Sequence, residues 1–423
     1  MTARRGTLLA TAGCLVSFGC LWPAQYLAHV SMIDLLVYRA EGWTVRHGGD
    51  LYAMRATHAR LLATYPPFAA LLFTPLTLLA TAPLRVLATL TNLGLLISLV
   101  HLSLRLIGHR PPRAALTLAA AALCLWCEPV WTTLRYGQVN LLLAVLVLWD
   151  LTRPAAHRWA GVGTGLAAGI KLTPALFVVF LALSGLARRP GAGHWLRQAL
   201  VATAAFVGTV AVGALVLPYD AHRFWTGTVF AAGRAGPAED TANQSLRGVL
   251  ARLLHTGDPG PWWLVVASAV ALLGLGVAVG ARLYGPARTA PAWGALSCAA
   301  TALIVSPVSW SHHWVWCVPM TLLLVSEAAL RRSAAWWAVA AGTGALFFSY
   351  ALWWVPHVSE ERLELHQNGG QMLLSAGYPA FGAAFLVLAA VVGLTGRGHP
   401  RPHGAPLAEP QVPAAERQAL AKE

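Results

Sequence analysis

The stretch WWLVVASAVALLGLGVAVGARL, residues 262–283, contains a single charged residue, Arg282, near its end. A helix of about 20 apolar residues is long enough to cross the roughly 30 Å hydrocarbon core of a bilayer, whereas a soluble core helix usually has a shorter apolar run. This stretch therefore predicts a membrane-spanning helix.

Comparable apolar runs recur along the whole chain. Its 423 residues are 57% hydrophobic and 11% charged, and the mean hydropathy is +0.59, a balance typical of membrane proteins rather than soluble domains. We therefore predict an all-α polytopic membrane protein. The runs predict about 12 transmembrane helices, at residues 7–28, 84–107, 114–132, 138–152, 158–170, 173–187, 197–217, 262–283, 290–306, 314–329, 335–354 and 372–395.

The charges of the connecting loops predict which side of the membrane each loop faces. Arg4 and Arg5 precede the first run, which we interpret as an uncleaved helix with a cytoplasmic N-terminus. The inner loops are then basic and nearly free of acids, as the positive-inside rule requires. The C-terminus is also expected to be cytoplasmic. Most of the acids fall in the outer loops, at residues 29–83, 133–137, 218–261, 307–313 and 355–371.

The segment YPPFAALLFTPLTLLATAP, residues 65–83, is apolar but contains four prolines. If it crossed the membrane, every later loop would change sides and the arginines would face outward. We interpret it as interfacial or re-entrant helices in the first outer loop. At the other end of the chain, residues 396–423 are rich in Pro, Ala and Gly and predict a disordered cytoplasmic tail.

Lys171, in the motif GIKLTP, is one of only two lysines in the chain, and the other is Lys422. It lies between two short apolar runs, where Pro174 favours a break in the helix. One interpretation is a side chain that reaches toward the outer headgroups. The other is a point charge that binds a lipid phosphate. The sequence leaves both open.

The motif SPVSWSHHWVW places His312 and His313 next to each other after an outer turn rich in tryptophan. Adjacent residues on an α-helix diverge by roughly 100°, so the two rings are not expected to face one ligand easily. The pair could belong to an interfacial aromatic belt, bind phosphate or donate a proton. A metal site is disfavoured because the motif supplies no carboxylate or cysteine nearby.

Asp34, in HVSMIDLLVY, is a lone carboxylate just past the first apolar run. Aspartate is a favoured N-cap, so Asp34 could cap a helix that starts at Leu35. The same position beside a pocket at membrane level would suit a general base. The formal net charge of +14 is spread through short loops, which indicates an anionic membrane face rather than a nucleic-acid partner.

Six motifs taken in order resemble glycosyltransferase family 87. These are actinobacterial alpha-(1,2)-mannosyltransferases that use polyprenyl-phosphate mannose, within the superfamily of C-type membrane glycosyltransferases. The resemblance covers about residues 7–330. The motifs are DLLVYRAEGWTVRHGGDLYA, YPPFAALLFTPL, RYGQVNLLLA, GLAAGIKLTPALF, NQSLRGVL and SPVSWSHHWVW.

The resemblance implies a C-type glycosyltransferase fold over residues 1–395 and an inverting transfer on the outer face of the plasma membrane. The donor would be a polyprenyl-phosphate sugar, mannose or a similar one, and the acceptor an envelope glycolipid or lipoglycan, with no cofactor and no metal. Asp34 would be the general base. His312 or His313 would bind the donor phosphate, to which we add Lys171 from its charge and position. The expected sugar or acceptor contacts are Tyr65, Gln138, Asn140, Asn243, Gln244 and Trp310.

Two other functions are compatible with the sequence. A transporter or flippase for a lipid-linked sugar would share the lipid-phosphate and sugar contacts, but it would move its substrate without forming a glycosidic bond. A non-catalytic partner in envelope assembly would not need Asp34, Lys171 and the histidines in one pocket, because only a catalyst must hold a base and a leaving-group binder within reach of one carbon.

Overall fold

The computed structural model describes residues 3–109, 113–154, 157–187, 193–357 and 361–396, and within these ranges it contains α-helices and 3₁₀ helices but no β-strand. The predicted all-α fold class is therefore confirmed. The tail predicted for residues 396–423 lies outside the described residues, apart from Gly396.

The α-helices follow one another through short connections. In chain order they are α1 (Ala3–Leu27), α2 (Ile33–Arg46), α3 (Pro67–Phe73), α4 (Thr81–Leu106), α5 (Ala114–Cys124), α6 (Glu128–Tyr136), α7 (Asn140–Leu151), α8 (Val162–Ile170), α9 (Ala175–Leu186), α10 (Gly193–Val216), α11 (Pro218–Thr226), α12 (Leu246–Leu253), α13 (Trp263–Tyr284), α14 (Ala290–Val305), α15 (Cys317–Arg331), α16 (Ala334–Phe348), α17 (Gly369–Ser375) and α18 (Gly377–Gly396). The 3₁₀ helices are Thr74–Leu78, Thr228–Phe230, Ala232–Ala235, Ser311–Trp316, Ala351–Trp353 and Leu363–His366.

Six helical stretches among the described residues are long and apolar enough to cross a membrane, and the chain is a multi-pass membrane protein. They are Arg4–Leu27, Thr81–Leu106, Gly193–Val216, Trp263–Tyr284, Ser311–Arg331 and Gly377–Thr395. A seventh crossing results if α5 and α6, which meet at a bend of 75°, form one broken span. The count of twelve is not confirmed, because α7, α8 and α9 have only 9 to 12 residues each and are too short to cross alone.

The centre of the bundle is α14, which packs against α13 and α18. Nearly every residue of α14 is buried, including Trp293. A methyl group added at Gly274 of α13 would lie 2.2 Å from Thr301 Oγ1 of α14. Because Gly274 has no side chain, α13 and α14 pack closely against each other at this point of the core.

Residues 29–83, which the predicted topology assigns to the first outer loop, form a helical layer beside the bundle. In this layer α2 packs against α3 and the 3₁₀ helix Thr74–Leu78. A methyl group at Gly42 of α2 would lie 2.5 Å from the Phe73 carbonyl oxygen, so α2 rests directly on the chain that follows Pro67. This close packing fixes the rotation of α2. As a result Leu35, Val37, Tyr38, Glu41 and Gly42 lie on its buried face.

Candidate active site

A cavity of about 930 Å³ opens between the first outer loop, the loop before α12 and the segment that precedes α15. Its walls bring together residues that are far apart in the sequence. Seven of the residues predicted for the site border it, namely Asp34, Tyr65, Gln138, Lys171, Trp310, His312 and His313.

Asp34 lies in the first turn of α2 but does not cap it. The helix begins at Ile33, and the capping position is Met32, whose backbone is left-handed and whose side chain makes no capping bond. The interpretation of Asp34 as the N-cap is therefore wrong. Its Oδ2 instead accepts a hydrogen bond of 2.7 Å from Gln138 Nε2, and the side chain borders the cavity.

Two tyrosines hold Gln138 in the orientation that serves Asp34. Tyr38 OH and Tyr65 OH donate to Gln138 Oε1 at 2.6 and 3.2 Å. With Oε1 accepting, the amide nitrogen is the atom that faces the carboxylate. The sequence indicated Tyr65 and Gln138 as sugar or acceptor contacts, which stays a prediction. It did not indicate Tyr38, although the position of Tyr38 four residues after Asp34 places it on the same helix face.

The surroundings of Asp34 make it a stronger base than an ordinary aspartate. Burial raises the pKa of its carboxyl to about 6, although the hydrogen bond from Gln138 and the charge of Lys171 act in the opposite direction. At neutral pH the group is then mostly ionised, and it holds a proton more readily than an exposed aspartate does. A carboxylate of this kind is suited to take a proton from a hydroxyl group.

Lys171 lies in the break between α8 and α9 and has an extended backbone. Its Nζ is 2.8 Å from His313 Nε2 and 3.4 Å from Asn140 Oδ1. It is also 5.6 Å from the centre of the Tyr65 ring. These contacts direct the ammonium group into the cavity wall, so the structure favours the interpretation as a point charge in a site over the reach toward headgroups.

The two histidines border the same cavity. Their backbone belongs to the 3₁₀ helix Ser311–Trp316 rather than to a regular α-helix. The ring centres lie 4.8 Å apart and the planes are nearly perpendicular. His313 Nδ1 accepts from the Trp310 backbone nitrogen at 3.1 Å, which leaves Nε2 beside Lys171.

The ring of His312 has fewer hydrogen-bond partners than the ring of His313. It is 5% exposed, and among the described residues neither ring nitrogen has a hydrogen-bond partner. Its ring packs edge-on against Tyr136. An unpaired buried polar group costs about 1–3 kcal/mol, so this histidine is ready for a hydrogen bond from or to a ligand.

Glu128 anchors the segment that carries the histidines, and sequence analysis missed it. It is fully buried and accepts hydrogen bonds from Thr132, Ser311, Tyr378 and Trp353. The bond to Ser311 joins residues 183 positions apart. The only signal in the sequence is an acid placed between an apolar run and a proline, which indicates a costly buried charge but not its partner.

Asn140 also supports the histidines. Its Nδ2 donates to the His312 backbone oxygen at 3.0 Å, as Thr133 Oγ1 does, while its Oδ1 faces Lys171. Asn140 is not among the residues that border the large cavity, and its contact with a sugar or acceptor stays a prediction. The residue lies behind the Lys171 and His313 pair and fixes the position of both.

Asn243 and Gln244, which are predicted sugar or acceptor contacts, are not among the residues that border the cavity, and both side chains are fully buried and bonded to protein. Asn243 bonds to the Ala238 oxygen and the Ser309 nitrogen. Gln244 bonds to the backbone of Thr241, Ser375 and Tyr378. Their amides join the outer loop to the bundle, so they stabilise the cavity from behind.

Comparisons with known proteins match the chain to a family model and to several relatives. The model of glycosyltransferase family 87 matches residues 63–307. A relative from Mycobacterium tuberculosis, named a polyprenol-phosphate-mannose-dependent alpha-(1-2)-phosphatidylinositol pentamannoside mannosyltransferase, is 33% identical over 353 residues, which are 78% of this chain and 75% of the relative. A protein of the same name from Mycolicibacterium smegmatis is 37% identical over 305 residues, 70% of each chain.

Among solved structures, ArnT from Cupriavidus metallidurans, crystallised with undecaprenyl phosphate, matches 92% of this chain and 77% of its own chain. Its sequence identity is 16% and its TM-score is 0.39.

Proposed function

The chain belongs to glycosyltransferase family 87 and is a glycosyltransferase, and we propose that it transfers mannose from a polyprenyl-phosphate donor to a hydroxyl group of a phosphatidylinositol mannoside. Both relatives carry names with this donor and this class of acceptor. The new linkage would be alpha-(1,2). The observation that carries the proposal is the placement of Asp34 and Lys171 in the wall of one cavity.

In the proposed reaction Asp34 removes the proton from the acceptor hydroxyl. The hydroxyl oxygen then forms a bond to the anomeric carbon of mannose, and the bond from that carbon to the phosphate oxygen breaks. Attack opposite the leaving group inverts the configuration, so a beta-linked donor yields an alpha-linked product. The raised pKa of Asp34, about 6, suits a group that must hold this proton.

The polyprenyl phosphate leaves toward Lys171 and the histidines. The Lys171 ammonium group supplies a positive charge to the phosphate oxygens, and His313 lies 2.8 Å from it. The unpaired ring nitrogens of His312 offer a further hydrogen bond. Stabilisation of the charge that develops on a leaving phosphate is the main contribution that an enzyme makes to such a step.

The location of the site on the outer face of the membrane is part of the proposal. It is supported by the basic composition of the loops assigned to the cytoplasmic side and by the acids in the loops assigned to the outer side. The alternative function, a non-catalytic partner in envelope assembly, would be favoured if these polar residues were dispersed over the molecule. Asp34, Lys171, His312 and His313 instead border one cavity.

The test is product formation by the purified protein in detergent, where transport across a membrane does not register. Polyprenyl-phosphate mannose and a phosphatidylinositol mannoside are supplied, and the linkage in the product is determined by NMR. The proposal predicts an acceptor extended by one alpha-linked mannose. A purified, folded protein that forms no glycosidic bond from this donor would contradict it.

A further inference from the structure

Glu41 lies on α2, two turns beyond Asp34, and borders the same cavity. It is 1% exposed, and its Oε1 has no hydrogen-bond partner among the residues that the structure describes. Buried polar atoms in folded proteins nearly always find a partner, because water is lost on burial. Since this atom belongs to a residue in a cavity wall, a bound substrate can supply the partner.

The packing of α2 holds Glu41 in this position. The next residue, Gly42, rests against the backbone of Phe73 and Thr74, with no room for a side chain. The helix therefore cannot rotate to expose Glu41 without losing this contact. The backbone at Glu41 is therefore held in the cavity wall.

Asp34, Tyr38 and Glu41 share one face of α2, because residues separated by four and seven positions align on a helix. Seven residues correspond to about 10 Å along the axis. This distance is too long for Asp34 and Glu41 to bond the same hydroxyl group. If both contact substrate, they contact different hydroxyls.

The assignment of the donor phosphate to Lys171 leaves the part of the cavity that Glu41 borders for the acceptor. Lys171 and Glu41 each interact electrostatically with Asp34. Glu41 in turn interacts with Tyr52, whose backbone oxygen accepts a hydrogen bond from Arg234. The donor phosphate is assigned to the Lys171 end. The space beside Glu41 is therefore left for the acceptor.

We propose that Glu41 determines acceptor specificity by hydrogen bonding to a sugar hydroxyl of the acceptor other than the one that Asp34 deprotonates. The proposal rests on the function proposed above, since it uses the same cavity and the same acceptor class. It adds a recognition site on the glycan of the acceptor, two helical turns from the reacting group.

The protonation of Glu41 fits hydroxyl recognition rather than a second base. Burial, and after it the charge of Asp34, raises the pKa of the Glu41 carboxyl to about 8. Tyr38, Tyr52 and Tyr65 interact electrostatically with Glu41, and none of them carries a positive charge. At neutral pH the group is mostly a neutral carboxylic acid, which both donates and accepts a hydrogen bond.

The test compares Glu41→Gln with Glu41→Leu in the purified full-length protein. An amide keeps a donor and an acceptor, whereas leucine keeps only volume. We expect Glu41→Leu to raise the KM for the phosphatidylinositol mannoside about tenfold or more, with the donor KM unchanged. We expect Glu41→Gln to stay within about threefold of the wild type. Equal losses in both variants, an unchanged acceptor KM in Glu41→Leu, or a rise in the donor KM would each overturn the proposal.

Acceptor analogues that lack one hydroxyl each give a second, independent readout. Removing the hydroxyl that Glu41 binds should raise the acceptor KM of the wild-type protein. It should have little further effect on the acceptor KM of Glu41→Leu, since the two changes delete one interaction. If every analogue weakens both proteins equally, Glu41 contacts none of these hydroxyls and the proposal fails.

Two controls separate this inference from the proposed function and from misfolding. If wild-type protein transfers mannose and Asp34→Asn does not, the function stands even when the Glu41 variants behave like the wild type. If the wild type transfers no mannose, the function itself has failed. Thermal unfolding in detergent must show the Glu41 variants folded at the assay temperature, and a change in KM without a change in kcat distinguishes recognition from a general structural defect.

Discussion

The two walls of the cavity hold their functional groups in different ways. On the α2 wall the functional side chain itself is held, because Gln138 donates directly to Asp34 and is in turn oriented by Tyr38 and Tyr65. On the opposite wall the backbone is held, because Thr133 and Asn140 donate to the His312 oxygen. The ring nitrogens of His312 stay available.

This difference follows from the tasks of the two walls. A general base needs a fixed carboxylate with a suitable pKa, so its hydrogen bonds are made in advance. A phosphate site needs donors that are in position but not yet used, so the protein fixes the chain here and leaves the His312 ring for the ligand. Changes at Asp34 and Gln138 should therefore affect the chemical step, and changes behind the histidines should affect both stability and activity.

The largest effect is expected for Asp34→Asn. Asparagine keeps the size and can still accept the hydrogen bond from Gln138 Nε2 through its Oδ1, but it cannot take a proton, so the rate of transfer should fall about 10³-fold or more. Donor binding should be retained. The measurement is the initial rate of mannose transfer together with equilibrium binding of the donor.

A matched control is Asp258→Asn, since the Asp258 side chain is 77% exposed on an outer loop. It should transfer mannose at the wild-type rate. Comparable turnover by Asp34→Asn and the control would remove Asp34 from the reaction and leave the α2 wall without its assigned task.

The second largest loss of activity is expected for Lys171→Met. Removing the positive charge beside His313 should lower kcat/KM about 10²-fold, because one preorganised group that stabilises developing charge contributes this much. Lys171→Arg should lose less, since it keeps the charge but changes its geometry. The control is Lys422→Met, which changes the other lysine of the chain. If Lys171→Met and Lys422→Met have equal rates, the phosphate lies elsewhere.

The pH dependence of the reaction should reveal the tuning of Asp34. The pKa of this carboxyl is raised to about 6 and the base acts in its ionised form, so kcat/KM should fall about tenfold per pH unit below pH 6. Gln138→Leu removes a hydrogen bond that lowers this pKa. The acid limb should then move to higher pH, by about one unit. A limb that stays in place or moves to lower pH would show that Gln138 does not tune the base.

The smallest effect on activity is expected for Glu128→Gln, a positioning change behind the histidines. Exchanging one oxygen for an amide disturbs the bonds from Ser311 and Tyr378, and should lower stability by about 1–3 kcal/mol and kcat several-fold. Thermal unfolding and steady-state kinetics measure the two effects.

Glu327→Gln is the matched control for this variant, because Glu327 also accepts buried hydrogen bonds, from Thr289 and Trp293. It lies on α15, 14 residues beyond His313, or about 20 Å along a helix. It should lose stability without losing kcat. An equal loss of kcat in both variants would mean that Glu128 acts only through overall stability.

The sequence was sufficient to predict the helical membrane fold and the convergence of Asp34, Lys171 and the histidines, because hydropathy and loop charge determine which ends of the helices share a side. It was not sufficient to count the crossings. Helices such as α8 and α9 are apolar but short, and hydropathy does not tell how short helices are joined within a bundle.

The sequence also could not show the direction in which polar side chains point. Asn243 and Gln244 are polar residues in an outer loop, yet their amides bond to the backbone behind the cavity. Glu128 and Ser311 are 183 positions apart, so their contact exists only in the folded chain. Asp34 resembled a helix cap until the structure showed Met32 in that position.

The most direct test of this account is an experimental structure of the Asp34→Asn protein with polyprenyl-phosphate mannose and a phosphatidylinositol mannoside bound. We expect the donor phosphate within hydrogen-bond distance of Lys171 Nζ and the histidine rings, and an acceptor hydroxyl within hydrogen-bond distance of the side chain at position 34, with the anomeric carbon between them. A phosphate bound at the Arg234 end of the cavity, or an acceptor hydroxyl out of reach of position 34, would contradict it.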